Sequence, residues 1–283
     1  MLFKDLYELY WTKHVKLRVQ HTDNIHYFWK AQGVKWAYRE VETIQTRELQ
    51  DWFDDIAVIS KSAAVKYCNT LSTMIAWGIK RGYLNCTNPC RDVQKVKLRA
   101  RERFLLPEEV DRFKQALAMS PRDLQDLFWL LLLTGARKGN VFTMEWDEVN
   151  TALALWTIPA HKHKNLDSHI NVLTPPALAI LERRKQHATG RYVFPGRLNP
   201  DAPKRDAKRG WSALMRRADI KDFRIHDLRR TFGSYMAING SSIPIIAQAL
   251  GHNDHRSTAI YARLNLDPVR SAIEASQNRF INP

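Results

Sequence analysis

Four short segments in the second half of the chain carry residue types suited to handling a phosphate. Thr134-Gly-Ala-Arg137 closes an apolar stretch. His226-Asp-Leu-Arg229-Arg230 sets His226 and Arg229 three apart, on one face of any helix they share. Leu250-Gly-His252 puts a histidine behind a glycine, and Thr258-Ala-Ile-Tyr261-Ala-Arg263 puts a tyrosine among small residues. Arginine offers a planar fork that donates parallel hydrogen bonds to phosphate oxygens and keeps its charge. A phenol titrates near ~10, so it is a poor nucleophile at neutral pH unless cations assist it. Singly, each segment has an ordinary reading: a surface arginine at a helix end, a polar helix N-terminus, a histidine at a junction. Together they supply a clamp, donors and a nucleophile for phosphoryl transfer. Clustered carboxylates for a two-metal site are not apparent.

The elements that must position these residues follow from periodicity and punctuation. In the C-terminal half, Pro107 opens a helix with Glu108 and Glu109 in its first turn. Ser120-Pro121 starts another, apolar from Leu124 to Leu133, expected to be the buried central helix. Arg137 would sit just past its end, where Gly135 allows a sharp turn. Leu153–Ile158 and His169–Leu173 read as two strands joined by the polar segment His161–Ser168. Tyr192–Phe194 reads as a further short strand. Helices are expected after Thr174-Pro175 and from about Asp206, His226, Ile243 and Ser257.

The first ninety-odd residues read as helical. Leu2, Leu6, Leu9 and Tyr10 mark one apolar face, Leu49, Trp52, Phe53 and Ile56 a second, and Val65, Leu71, Met74, Ile75 and Ile79 a third that ends near Gly82. Five of the nine tryptophans fall here and are expected in an aromatic core. Asn85–Pro89 is a turn. The stretch with Lys95, Lys97, Arg99, Arg101 and Arg103 holds one acid, Glu102, and reads as a basic linker that tracks DNA.

The expected fold class is mainly α with a small antiparallel β-sheet, in two domains. Residues 1–94 would form a helical domain, 95–103 the linker, and 104–283 a mixed α/β domain with a C-terminal tail. The chain has 283 residues and a net charge of +15, which attracts polyanions, and double-stranded DNA is the expected partner. A membrane surface would require a basic amphipathic anchor or a lipidation signal, and neither is recognisable. Without a signal peptide or a long apolar run the protein is expected to be cytoplasmic. Cys68, Cys86 and Cys90 do not make a disulfide framework. Cys86 and Cys90, with His161, His163 and His169, lack the spacing of a zinc site, so neither metal nor cofactor is expected.

The order TGAR, HDLRR, LGH and then a YAR-type tyrosine resembles the tyrosine recombinase (phage integrase) family. The resemblance covers the chain in outline, implying a helical core DNA-binding domain at 1–94, the basic linker at 95–103 and a mixed α/β catalytic domain at 104–283, and its signature runs from Arg137 to Tyr261. It implies a site of two arginines, a hairpin lysine, two histidines and a tyrosine. By position, Arg137 resembles the first arginine, His226 and Arg229 the HxxR pair, His252 the second histidine and Tyr261 the nucleophile. In IPAHKHKNLDSHINVL both Lys162 and Lys164 stand between the strands. The family pattern favours Lys164 and puts His169 where a strand histidine often stands. Asn140 occupies a position where many relatives carry an acid. Tyr235 is the nearest competing tyrosine but falls on the HDLRR helix itself.

The chemistry this implies is cleavage of a DNA strand through a 3′-phosphotyrosyl bond. Arg137 and Arg229 would clamp the non-bridging oxygens, with His252 as a further donor. Tyr261 would attack, Lys164 would protonate the departing 5′ oxygen, and His226 would relay the proton. Integration or excision of a mobile element or prophage follows, with a homotetramer on synapsed DNA sites and accessory DNA-bending or excision factors as implied partners. The alternatives are relaxation of the type IB topoisomerase kind and DNA binding without catalysis. The tail at Ala272–Phe280 has apolar positions at helical spacing. The start, directly at the helical region, suggests either a minimal recombinase or one separated from an arm-binding domain.

Overall fold

In the computed structural model residues 1–19, 22–162, 167–252 and 258–262 are described, together with 273, 274 and 277. The chain forms two units, Met1–Ala100 and Arg101–Pro283.

The N-terminal unit is helical. Its elements are α1 (Phe3–Tyr10), running through a π-helical turn at Trp11–Val15 into α2 (Lys16–Arg18), then α3 (Asp23–Ala31), α4 (Thr46–Ile59) and α5 (Lys61–Lys80). The apolar face of α1 is Phe3, Leu6, Tyr7 and Tyr10; Leu2 lies before the helix and Leu9 is half-buried at the edge of that face. Ser60 caps α5 by accepting from Ala63 N at 3.3 Å. Beyond the end of α5, Gly82 takes a left-handed conformation at φ 72°. The tryptophans serve the core: Trp29 stacks on Tyr7 at 4.0 Å between centroids, and Trp77 meets Tyr10 edge-on. Cys68 and Cys90 are fully buried in the same core.

The C-terminal unit contains α6 (Pro107–Ala118), α7 (Arg122–Thr134), α8 (Lys138–Phe142), β1 (Val149–Asn150), β2 (Leu155–Ile158), β3 (His169–Val172), α9 (Pro175–Lys185), α10 (Lys208–Arg217), α11 (Asp227–Ile238), α12 (Ile243–Leu250) and α13 (Ala259–Ala262). The strands form one antiparallel sheet in the order β1-β2-β3, with Ile158 opposite His169. The core gathers on α7, whose Leu127, Phe128, Leu130 and Leu131 are buried, and on Trp156, Trp211 and Leu228. The mainly helical fold with a small antiparallel sheet is as expected. Tyr192–Phe194 is not a strand: Tyr192 makes one bridge, to Glu145, and the chain then turns away. Strand β2 starts at Leu155 rather than Leu153, because Ala154 adopts a positive φ of 54° in the turn that joins it to β1. Among the described residues no helix is long and apolar enough to cross a membrane.

Parts of the basic stretch are spoken for inside the C-terminal unit. Arg101 pairs with Asp222 at 2.8 Å and with Asp227 at 3.0 Å. Arg103 pairs with Glu109 at 2.5 Å. Their charges hold the fold together locally, although the sequence around them shows only one acid.

Candidate phosphate-binding site

The site is built at two helix ends. Helix α7 stops at Gly135, which has φ 60° and ψ 10°, a conformation that side chains other than glycine rarely take. Arg137 follows in extended backbone and leads into α8. The end of α7 is pinned by Asn171 of β3, which donates from Nδ2 to Thr134 O at 3.2 Å. Helix α12 stops in the same manner at Gly251, with φ 62° and ψ 49°. The His252 N–H then donates back to Ala247 O at 2.9 Å. Both left-handed glycines thus turn a functional candidate away from its helix and into the same region.

Arg229 ties the two ends together. Its Nη1 donates to Gly135 O at 2.9 Å and its Nη2 to Leu250 O at 2.5 Å. Arg137 reaches across from the other side, donating from Nη2 to Gly251 O at 3.2 Å. Each guanidinium therefore bonds to the turn at the end of α12, and Arg229 also holds the turn that launches Arg137.

The cluster is a pocket of like charge. Arg229 is only 6% exposed. Burial and the neighbouring Arg137 lower its pKa to about 10, with only the Tyr261 phenol pulling the other way. Burial likewise lowers the pKa of Arg137. Elsewhere in the unit Arg184 pairs with both Asp123 and Asp126, and Arg183 with Asp126. Those charges line a cavity of about 400 Å³ that already holds both signs. A buried guanidinium, Arg229, and a half-buried one, Arg137, thus stand next to two histidines.

The histidines respond accordingly. His252 is pushed down to about 4 by burial first, then by Arg229, Arg137, His226 and His169. Its Nδ1 shares a hydrogen bond of 2.9 Å with Thr258 Oγ1. His226 stands immediately before α11. The residue keeps an exposed edge, but its ring is desolvated by the surrounding chain, and that desolvation, then Arg229 and Arg230, lower its pKa against the pull of Asp227. Both rings are therefore neutral near pH 7 and can accept a proton. The ring of His169 packs against Gly251, where a Cβ would come within 3.0 Å of it.

Tyr261 lies on α13 and is 3% exposed, packed with Ala237, Ile246 and Leu250. Burial raises its pKa, opposed by Arg229 and Arg230. Tyr235 is in another environment. Its phenol is also raised by burial, but Glu108, Asp111 and Glu109 push it further in that direction, and its ring meets Phe104 edge-on. Cations favour a phenolate and acids oppose it, so the charges around Tyr261 and Tyr235 act on their phenols in opposite directions.

Five of the six sequence candidates, Arg137, His226, Arg229, His252 and Tyr261, thus come together. Lys164 lies outside the described residues. Its rival Lys162 is described and occupied: Nζ donates to Thr143 O at 2.7 Å and to Glu145 at 3.0 Å, and pairs also with Glu148. Asn140 is buried on α8. Three supporting residues had no weight in the sequence reading. Thr258 orients His252, and Asn171 fixes the turn before Arg137. Asp227, fully buried, accepts from Arg224 N at 2.8 Å at the start of α11. Asp227 and Thr258 stand inside the motifs and could have been noticed there. Asn171 carries no local signal.

The Phage integrase family model matches residues 103–267. Among curated proteins, the integrase of Salmonella phage P22 is 26% identical over 174 residues, covering 58% of this chain and 44% of that protein. Prophage integrase IntA of Escherichia coli K12 is 32% identical over 152 residues, covering 53% of this chain and 36% of that protein. Tyrosine recombinase XerC of Xylella fastidiosa is 24% identical over 258 residues, covering 88% of this chain and 86% of that protein. The chain thus spans less than half the length of the P22 and IntA integrases. Among solved structures, the Tn1549 transposon integrase in complex with circular intermediate DNA superposes with a TM-score of 0.72 at 14% identity, over 96% of this chain and 99% of that one. A lambda integrase dimer bound to a COC′ core site gives 0.71 at 20% identity, over 92% and 93%. A lambda integrase tetramer bound to a Holliday junction gives 0.68 at 18% identity, over 89% and 77%.

Proposed function

This chain belongs to the phage integrase family, and from that premise we propose that it is a site-specific DNA recombinase acting through a covalent 3′-phosphotyrosyl intermediate. The observation that carries the reading is the pair of guanidiniums, half-buried Arg137 and buried Arg229, bonded to one turn beside a buried tyrosine. A scissile phosphodiester carries one negative charge that these guanidiniums can bind. It gains more in the transition state, where fixed donors act most strongly.

In the proposed reaction Arg137 and Arg229 hold the non-bridging oxygens and His252 adds a donor. The Tyr261 hydroxyl loses its proton to neutral His226 and its oxygen bonds to phosphorus. The bond from phosphorus to the 5′ oxygen breaks, and that oxygen takes a proton. The family pattern gives this acid role to Lys164. The ion pairs of Lys162 support that choice, because a lysine held by Glu145 and Glu148 is poorly placed to give its proton away. The strand is released with a 5′ hydroxyl, and attack by another 5′ hydroxyl on the phosphotyrosine reverses the steps. The bond energy is kept, so no nucleotide hydrolysis is required.

The N-terminal unit is proposed to grip the duplex. Helix α5 has no acidic residue over its twenty positions, and its exposed face carries Lys61, Ser62, Lys66, Asn69, Thr73 and Lys80. Integration or excision of a mobile element is the role the named relatives favour, and a homotetramer on paired sites is the assembly their complexes suggest.

The test is covalent capture. The protein is mixed with supercoiled DNA carrying its element junction and run on a denaturing gel. An adduct is expected for the wild type and for Tyr235→Phe, and none for Tyr261→Phe, which should still bind DNA. An adduct of equal yield from Tyr261→Phe overturns the nucleophile. No adduct from a wild type that binds the junction tightly overturns catalysis and leaves a DNA-binding protein.

A further inference from the structure

Helix α11 presents His226, Arg229 and Gly233 on one face, since they follow one another at intervals of three and four. Tyr261 lies across the last of them. A Cβ built on Gly233 would stand 2.6 Å from Tyr261 Cζ, 2.9 Å from Cε1 and 3.0 Å from the hydroxyl oxygen. The phenol thus rests on bare helix backbone one turn beyond Arg229. Nothing in the local conformation calls for glycine here. Gly233 is absent from the positive-φ positions, and it sits in the middle of a twelve-residue helix, where glycine is among the poorest helix formers. What the missing side chain secures is the close approach of the tyrosine ring.

We propose that Gly233 is a positioning residue for Tyr261: the absence of a Cβ sets how deeply the phenol lies against α11, and so where its hydroxyl stands relative to Arg229. The proposal rests on the reading of Tyr261 as nucleophile. An alanine at 233 forces the ring outward by about an ångström, because carbon atoms settle near 3.5–4.0 Å apart. The atoms it meets are the far end of one side chain, which can swing without moving backbone. The fold therefore survives while the hydroxyl is displaced. A misplacement of about an ångström at a reacting atom costs on the order of 100-fold in rate.

The experiment is single-turnover adduct formation with Gly233→Ala across a range of junction DNA concentrations. The expected result is a rate at saturating DNA lowered by about 10- to 100-fold, with the half-saturating concentration unchanged. Thermal unfolding is followed in parallel for Gly233→Ala alone and in a Tyr261→Ala background. If the Cβ meets only the ring, any loss of melting temperature disappears once the ring is gone. A wild-type rate for Gly233→Ala overturns the proposal. So does a melting loss that persists with Tyr261→Ala, since Gly233 then serves the fold. A wild type that forms no adduct at all removes the underlying reading of Tyr261 instead.

Discussion

The cluster displaces the titration of His252 from an ordinary 6.5 to about 4. Its ring stays neutral in the folded, DNA-free protein while the unfolded chain takes up a proton near the ordinary value. As pH falls from about 6.5 towards 4 the unfolded state binds more protons, so stability present above that window is lost within it. His226 is shifted the same way, by burial first and then by Arg229 and Arg230, and adds to the slope. The melting temperature of the free protein should therefore drop over this range, and drop less steeply in His252→Gln. Differential scanning calorimetry in buffers spanning the window checks this, and an unchanged slope in the variant would show that the charge cluster does not govern His252. At this scale the candidates were legible because each is a residue type with one chemistry, set off by a glycine or by helical spacing. The choice between Lys162 and Lys164 rested on the family pattern. The structure adds a physical ground by giving Lys162 to Glu145 and Glu148.

Among the elements, α11 matters most, because its first turn and the residue before it carry Arg229 and His226. That turn is held by Asp227, fully buried, which accepts from Arg224 N, from Arg101 Nε at 3.0 Å and from Arg230. One turn on, Thr231 Oγ1 donates to Asp227 O at 2.9 Å and accepts from Leu105 N at 3.1 Å. Asp227→Asn leaves two half-buried guanidiniums without their shared carboxylate. Removing one partner of a buried pair costs about 3 kcal/mol, and urea unfolding should register a loss of that order. A second substitution, Arg101→Gln, should recover part of it, and strictly additive losses would show that the two groups do not interact. The helices themselves were readable from apolar periodicity and from Pro and Gly punctuation. The short β1 and the single bridge at Tyr192 gave weak or misleading signals. Two or three residues contain no measurable period, and the turn at Ala154 depends on a conformation that its residue type does not announce.

For the whole molecule, the net charge of +15 is the property that the proposed function uses at long range. Binding that neutralises several phosphates releases counterions and weakens steeply with salt. A protein making six to ten such contacts loses about 10³- to 10⁵-fold in affinity between 50 and 200 mM salt. Fluorescence anisotropy with labelled junction DNA should return a slope in that range. A nearly flat response would sink the view that the basic surface engages the duplex. Not every cation contributes, since Arg101, Arg103, Arg183 and Arg184 are paired with carboxylates in the fold.

The sequence by itself determined the residue types, their order along the chain, the helical faces and the two glycines that end α7 and α12. These are local properties, written within a few residues of one another. Only the tertiary structure decided which charges meet carboxylates and which arginines stand side by side. Arg229 meets the Gly135 carbonyl from 94 residues away and Arg101 meets Asp227 from 126 away. It also decided that Gly233 lies under Tyr261. Such pairings depend on how helices pack, and packing is settled by the whole core at once, so no spacing along the chain encodes them.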